Sequence, residues 1–263
     1  MVVHKYCASG NDFLIINAFR HEDRSQLAKE LCDRHNGIGA DGLVVVLPHS
    51  SYAYEWEFYN SDGSRAKMCG NASRCVCYYA YSNSLALASH TFFTEAGEIK
   101  AYFNGAVESD GIGKFANIQT NLGKYTFIEE LSLDIHPYGQ KWYLLDTGVP
   151  HLVHFVRTFE ELPKTKNQTL CDLRQKYDAN VNIAYIRDNT TIYLSTYERG
   201  VEDITLACGT GMAAVFAMGV RHYNISKKCI LIPPSTERLD LELEDGEILF
   251  GGRVRFIGVC VVD

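Results

Sequence analysis

Two stretches of the chain, residues 72–81 and 212–220, are apolar or small at nearly every position. A helix with no polar face cannot lie at a surface, so both are expected to be helices buried on all sides. Around them the period changes. Residues 54–59, 90–94, 99–103, 192–197 and 253–259 alternate as half-buried strands do, and 43–47 and 181–186 are shorter strand-like runs. Two more polar segments carry helical spacing. Residues 24–35 place Leu27 and Leu31 at i and i+4, and residues 168–177 place Leu170, Leu173 and Tyr177 on one face.

These elements recur in order. Tyr59 leads through a glycine-containing polar stretch to Cys69-Gly70, and Tyr197 leads in the same way to Cys208-Gly209; the two cysteines are 139 residues apart. Gly10-Asn11-Asp12-Phe13 lies 59 residues before Cys69, and Gly148-Val149-Pro150-His151 lies 60 before Cys208. A polar helix followed by an apolar strand comes between in each half. Four matches at nearly constant offset point to duplication. The expected fold is mixed α/β. It has two pseudo-symmetric domains, each a curved, mostly antiparallel sheet wrapped around one central buried helix. The boundary is expected near residues 117–123, giving an N-terminal half at 1–117 with Cys69 and a C-terminal half at 118–251 with Cys208.

Composition narrows the class. A 263-residue chain that is 46% hydrophobic and 22% charged can bury a sizeable core without staples. The net charge of −7 and the lack of a Lys/Arg cluster argue against a nucleic-acid partner. The apolar runs are too short to span a bilayer, and the N-terminus lacks the apolar core of a signal peptide. A cytoplasmic protein with no membrane partner is expected. Nine cysteines without a secretion signal read first as reduced thiols filling small apolar gaps. Zinc is disfavoured, because Cys75 and Cys77 have the wrong spacing and no CxxC or HxxxH pair exists.

Cys69 and Cys208 differ from the other seven in position. Each stands where a loop becomes a buried helix. A helix start offers unpaired N–H groups and a partial positive charge. That favours thiolate over thiol and lets the N–H groups of Gly70, Asn71, Gly209 and Thr210 hold a carboxylate. Two such starts facing each other would flank the α-carbon of a bound amino acid with two sulfurs. One thiolate would take the α-proton and the opposite thiol would return one, inverting the centre, while the N–H groups stabilise the developing enolate-like charge. This chemistry needs no metal and no pyridoxal, and neither has a sequence signature here. The rival uses of two cysteines are a structural disulfide, a redox pair and a Cys-His-Asn hydrolase; the last needs only one cysteine and leaves the duplication unexplained.

The ordered set Gly10-Asn11-Asp12-Phe13, Gly37-Ile38-Gly39-Ala40-Asp41-Gly42, Tyr59-Asn60, Met68-Cys69-Gly70-Asn71, Pro150-His151, Asn182, Glu198-Arg199-Gly200 and Ala207-Cys208-Gly209-Thr210-Gly211 resembles the diaminopimelate epimerases over essentially the whole chain. The resemblance implies that the last strand, about 252–263, returns to the first half. It implies Cys69 and Cys208 as the acid–base pair, and Gly70, Asn71, Gly209 and Thr210 as donors to the reacting carboxylate. Asn11, Asn60, Asn182, Glu198 and Arg199 would hold the substrate, mainly its distal amino-acid end, and His151 and Glu198 would tune the thiols. An Arg fork with amide donors suits a distal carboxylate, and a carboxylate suits a distal ammonium. Each residue alone has a plainer reading: Asn60 and Asn182 as turn residues, Glu198 and Arg199 as a surface pair, His151 as a hydrogen-bonded core histidine.

The chain departs from the family pattern at Val149, where an asparagine often reaches the distal end of the substrate. Ala72-Ser73 replaces the usual Gly-Ala, and Gly42 stands where some members carry glutamine. Losing the asparagine suggests relaxed selectivity, extending weakly to glutamate. The expected activity is interconversion of LL- and meso-2,6-diaminopimelate, feeding lysine and peptidoglycan precursors. Alternatives are a proline or hydroxyproline epimerase, whose first motif is typically Cys-Gly-His, and a non-catalytic amino-acid-binding protein on the same fold. The oligomeric state is not decided by the sequence; a homodimer is one open expectation.

Overall fold

The computed structural model describes residues 1–262 and divides them into two compact units, residues 1–121 with 251–262 and residues 122–250. In the first unit the strands are β1 (Val2–Ala8), β2 (Asn11–Asn17), β3 (Gly42–Leu47), β4 (Glu55–Asn60), β5 (Ser89–Thr94), β6 (Gly97–Asp110) and β7 (Gly113–Lys124), neighbours in that order, with the last three residues of β7 falling in the second unit. Helix α1 (Ser25–Cys32) crosses from β2 to β3, and α2 (Gly70–Ser82) crosses from β4 to β5. Both connections join parallel neighbours, the case in which a chain must leave the sheet plane to return in the same direction. All other pairs in this run are antiparallel.

The second unit repeats the scheme. Its strands are β8 (Thr126–Ile135), β9 (Gly139–Asp146), β10 (Pro150–Val156), β11 (Asn180–Asp188), β12 (Thr191–Glu198), the short β13 (Asp203–Ile204), β14 (Lys228–Ile232) and β15 (Leu239–Glu244). Helix α3 (Gln168–Tyr177) crosses between the parallel β10 and β11, and α4 (Gly209–His222) between the parallel β12 and β14. From β2 to β6 and from β10 to β15 the pairing therefore runs parallel, antiparallel, parallel, antiparallel, with helices at the same two points. The two-domain α/β architecture expected from the repeat is the one observed. The last strand, β16 (Glu247–Val261), begins in the second unit and continues into the first, where its end pairs antiparallel with β1.

The central helices are buried as their composition requires. Every residue of α2 from Asn71 to Ala80 is buried, and every residue of α4 from Gly211 to Gly219. Around α2 pack Tyr6, Phe13, Trp56, Phe58, Phe92 and Ile118. Around α4 pack Tyr143, Leu194, Leu231, Leu241 and Phe250. α1 and α3 cover the other sheet faces through Ala28 and Leu31, and through Leu170 and Leu173. α1 ends earlier than the expected 24–35. Asp33 leaves the helix at ψ 125°, and its carboxylate takes the backbone N–H groups of His35 and Asn36. Among the described residues no helix is long and apolar enough to cross a membrane.

Candidate functional site

Each unit presents a cysteine at the first turn of its buried helix. Cys69 is the N-cap of α2, extended at φ −147°, ψ 122°, and Cys208 is the N-cap of α4 at φ −119°, ψ 108°. Their carbonyls accept the first helical bonds, from the N–H of Ser73 and of Met212, both at 2.9 Å. The N–H groups of Gly70 and Asn71, and of Gly209 and Thr210, therefore fall in the turn that has no intrahelical acceptors. Cys69 is half-buried and Cys208 is 7% exposed. Neither side chain caps its helix. All nine cysteines are outside any disulfide.

In the first unit Asn11 and Asn71 meet, with Asn71 Nδ2 donating to Asn11 Oδ1 at 2.8 Å. Asn11 opens β2 just past the turn at Ser9 and Gly10, both at positive φ (53° and 81°). That turn carries the start of β2 to the start of α2. Asn60, at the end of β4, is occupied in a turn: its N–H reaches Ser64 O at 2.8 Å and its side chain donates to Ser64 Oγ at 3.0 Å.

The second unit gathers His151, Asn182, Glu198, Arg199 and the start of α4. Asn182 is wholly buried on β11, with Oδ1 accepting from Thr196 Oγ1 at 2.8 Å. That bond fixes the amide, so Nδ2 faces His151 Nδ1 at 3.1 Å and Leu152 O at 3.1 Å and donates to both. His151 Nδ1 is thus an acceptor, and Asn180 Nδ2 lies 3.5 Å from the other ring nitrogen, Nε2, so amide nitrogens face both sides of the imidazole. Burial, followed by the charge of Arg199, pushes the His151 pKa down to about 3, and the Asn182 hydrogen bond opposes this only in part. The ring is therefore neutral near pH 7. Glu198, at the end of β12, is hydrogen-bonded to Cys208; burial raises its pKa, and hydrogen bonds from Thr205 and Cys208 hold it back. A carboxyl with raised proton affinity beside a thiol can take the thiol proton more readily than a solvated one can.

Arg199 is tethered from two sides. Its backbone N–H donates to Asn180 Oδ1 at 2.8 Å, and its Nη1 reaches the carbonyl and the carboxylate of Asp178 at 3.0 and 2.9 Å. Asp178, in the left-handed region at φ 47°, caps α3. Cys208 Sγ lies 3.6 Å from Thr210 Oγ1. Thr147 Oγ1 donates to Thr210 O at 2.9 Å, tying the turn before β10 to the first turn of α4. The sequence reading missed Asn180, Thr196 and Thr147. Asn180 was within reach: in a strand, a residue two before Asn182 shares its face.

The state of His151 carries a stability prediction. In the unfolded chain this ring takes up a proton below about pH 6.5, whereas the folded ring resists protonation down to about 3. Between those values the unfolded state binds more protons, so stability falls as pH falls through the window. His151→Gln removes that titration. It is expected to lose less Tm than wild type between about pH 7 and about pH 5; equal losses in a thermal scan contradict the assignment.

The comparisons agree over the full length. The family model described as diaminopimelate epimerase matches residues 3–127 and 143–256. The chain is 48% identical over 272 residues to the diaminopimelate epimerase of Helicobacter pylori (strain ATCC 700392 / 26695), covering 100% of this chain and 96% of that protein. It is 47% identical over 257 residues to that of Campylobacter jejuni subsp. jejuni (strain 81-176), covering 97% and 96%. Among solved structures, a probable proline racemase from Agrobacterium radiobacter K84 superposes with a TM-score of 0.73 at 14% identity, covering 100% of this chain and 92% of that one, which speaks to the fold alone. Matched from end to end at this level of identity, the chain belongs to the diaminopimelate epimerase family.

Proposed function

We propose that this protein interconverts LL- and meso-2,6-diaminopimelate by a two-thiol proton transfer, in the supply of lysine and peptidoglycan precursors. One cysteine, as thiolate, removes the α-proton and becomes a thiol. The other, as thiol, delivers a proton to the opposite face and becomes the thiolate; the reverse reaction exchanges the roles. The observation that carries this reading is the equivalence of Cys69 and Cys208 as extended N-caps of the two buried helices in a duplicated fold. The N–H groups of Gly70, Asn71, Gly209 and Thr210 would hold the reacting carboxylate and its enolate-like charge. Glu198 would receive the Cys208 proton. Neutral His151 would tune the Cys208 thiol indirectly, by holding the Asn182 amide that packs at the first turn of α4, rather than as a charge. Arg199, with Asn11 and Asn60, would meet the distal amino-acid end, and the wholly buried Asn182 would hold His151 and Thr196 in place rather than touch the substrate. A cytoplasmic location, where thiols stay reduced, and a homodimer belong to the same reading; sedimentation of the purified protein tests the dimer.

A proline or hydroxyproline substrate fits less well, because Glu198 and Arg199 supply charges for a distal end that proline lacks. Val149 bears on selectivity. It is half-buried, and its carbonyl accepts from Thr147 N at 3.2 Å while its side chain offers no polar atom. In deuterated water, diaminopimelate is expected to exchange its α-proton fast, glutamate weakly and proline not at all. Exchange into proline but not diaminopimelate would overturn the function. Intact diaminopimelate turnover with no deuterium in glutamate would overturn the relaxed selectivity.

A further inference from the structure

A hydrogen-bonded chain runs through the first unit from a buried cation to a carboxylate. At one end Arg74, wholly buried in α2, donates from Nη2 to Asn71 Oδ1 at 2.6 Å and to Ser9 Oγ at 2.8 Å. Asn71 Nδ2 donates to Asn11 Oδ1 at 2.8 Å, and Asn11 Nδ2 donates to Asp41 Oδ2 at 2.9 Å. Asp41 in turn accepts from Asp12 N at 3.1 Å and from Arg34 Nη2 at 2.7 Å. Arg34 also grips Asp12 through two bonds of 3.1 and 2.8 Å, and Lys5 Nζ closes on the same carboxylate at 3.0 Å. Burial opposes that charge, but the bonds from Arg34 and Lys5 outweigh it and hold the Asp12 pKa below the ordinary value.

The two ends make the chain directional. A guanidinium only donates and a carboxylate only accepts, whereas an asparagine amide does both and can turn over at little cost. With Arg74 behind one amide and Asp41 behind the other, both amides are held with oxygen toward Arg74 and nitrogen toward Asp41. Charge at each end also strengthens the bonds between them. Each amide spends one N–H on the chain and keeps its second N–H in a fixed direction. Asn71 is the second residue of the helix that Cys69 caps, so this direction is set at the start of α2 itself.

We propose that Arg74 and Asp41 are positioning residues for the epimerisation: they lock the amide polarity of Asn11 and Asn71 and thereby present their remaining N–H groups to the amino-acid substrate. The inference rests on the reading of Asn11 as a substrate residue, and adds the side-chain amide of Asn71 to the backbone N–H already assigned to it. Neither Arg74 nor Asp41 is assigned a role by the chemistry above, and the two amides connect them.

The test is a double-mutant cycle in steady-state kinetics with diaminopimelate, each variant checked by thermal scan. Asp41→Asn, at a side chain 37% exposed, keeps the shape and removes the acceptor-only end. Arg74→Gln keeps one donor and removes the donor-only end, and Arg74→Lys keeps the charge. Asp41→Asn and Arg74→Gln are each expected to raise KM about fivefold with a smaller change in kcat, the loss of roughly one oriented amide bond. The double variant should lose more kcat/KM than the product of the two, because either end alone still biases the chain. Arg74→Lys should restore most of the KM. Unchanged KM in Asp41→Asn, simple multiplication in the double variant, or equal damage from Lys and Gln at position 74 would overturn the proposal. Should Arg74→Gln fail to fold, Asp41→Asn and Arg74→Lys still decide it. Asn11→Ala and Asn71→Ala separate the layers. If they raise KM and Asp41→Asn does not, only this inference falls; if Asn11→Ala leaves KM unchanged, the reading of the Asn11 side chain as a substrate group falls with it.

Discussion

Cys69→Ala and Cys208→Ala are each expected to cut epimerase kcat/KM by at least about a thousandfold, within the range lost when a positioned acid or base is removed. The two losses should be alike. In a two-thiol reaction every turnover uses both sulfurs, one to take a proton and one to give it. Folding should survive. Neither cysteine side chain caps its helix, and the helix bonds begin at the cysteine carbonyls, which alanine keeps. Circular dichroism and a thermal scan beside the kinetics separate lost chemistry from lost structure. Wild-type turnover in either variant would remove that cysteine from the mechanism.

Gly211→Ala is expected to be the most damaging change that alters no reacting atom, lowering kcat/KM by about a hundredfold. Gly211 is the third residue of α4. A Cβ there would stand 2.5 Å from Asn182 Oδ1, 3.0 Å from Thr196 Oγ1 and 3.3 Å from Cys208 Sγ. The first distance is far inside contact, and Asn182 has little room to yield. Its amide is held by Thr196, Leu152 and His151, and it is completely buried. The methyl group therefore displaces the His151–Asn182–Thr196 cluster, the first turn of α4, or both. Either shift moves a sulfur whose distance from the α-carbon must be set to a fraction of an ångström. A measured kcat/KM within threefold of wild type would mean that this packing is not what positions the thiol.

Much of this arrangement was legible in the chain. The two buried helices follow from runs that lack a polar face, and the two cysteines follow from their place just before those runs. The helices begin two or three residues earlier than the apolar stretches do, since Gly70, Asn71, Gly209 and Thr210 belong to first turns, where small and polar residues are at home. The strands from 104 to 146 went unread. Most of β6 beyond Phe103 is exposed on both faces and holds no two-residue period, whereas β8 does alternate at Leu131, Leu133 and Ile135 and was passed over. β14 and β15 also passed unread. Within the site, Glu198 beside Cys208 and Asn182 beside His151 join residues far apart in sequence. Only the pairing of β10 with β11 and β11 with β12 brings the latter set together. Arg74 went unread, and Asp41 was read only as part of a motif, for a related reason: the two amides that connect them are not revealed by any spacing along the chain.

The central claim, that two separate thiols serve the two faces of one α-carbon, is tested most directly by following isotope at early conversion. LL-diaminopimelate is incubated with the enzyme in deuterated water and sampled while most substrate remains. Two thiols predict that the meso product carries solvent deuterium at the inverted carbon, while recovered LL substrate keeps its hydrogen, because the thiol that took the proton is the one that returns it. Meso product that retains the original α-hydrogen would mean that a single group both removes and redelivers the proton, and would contradict the account.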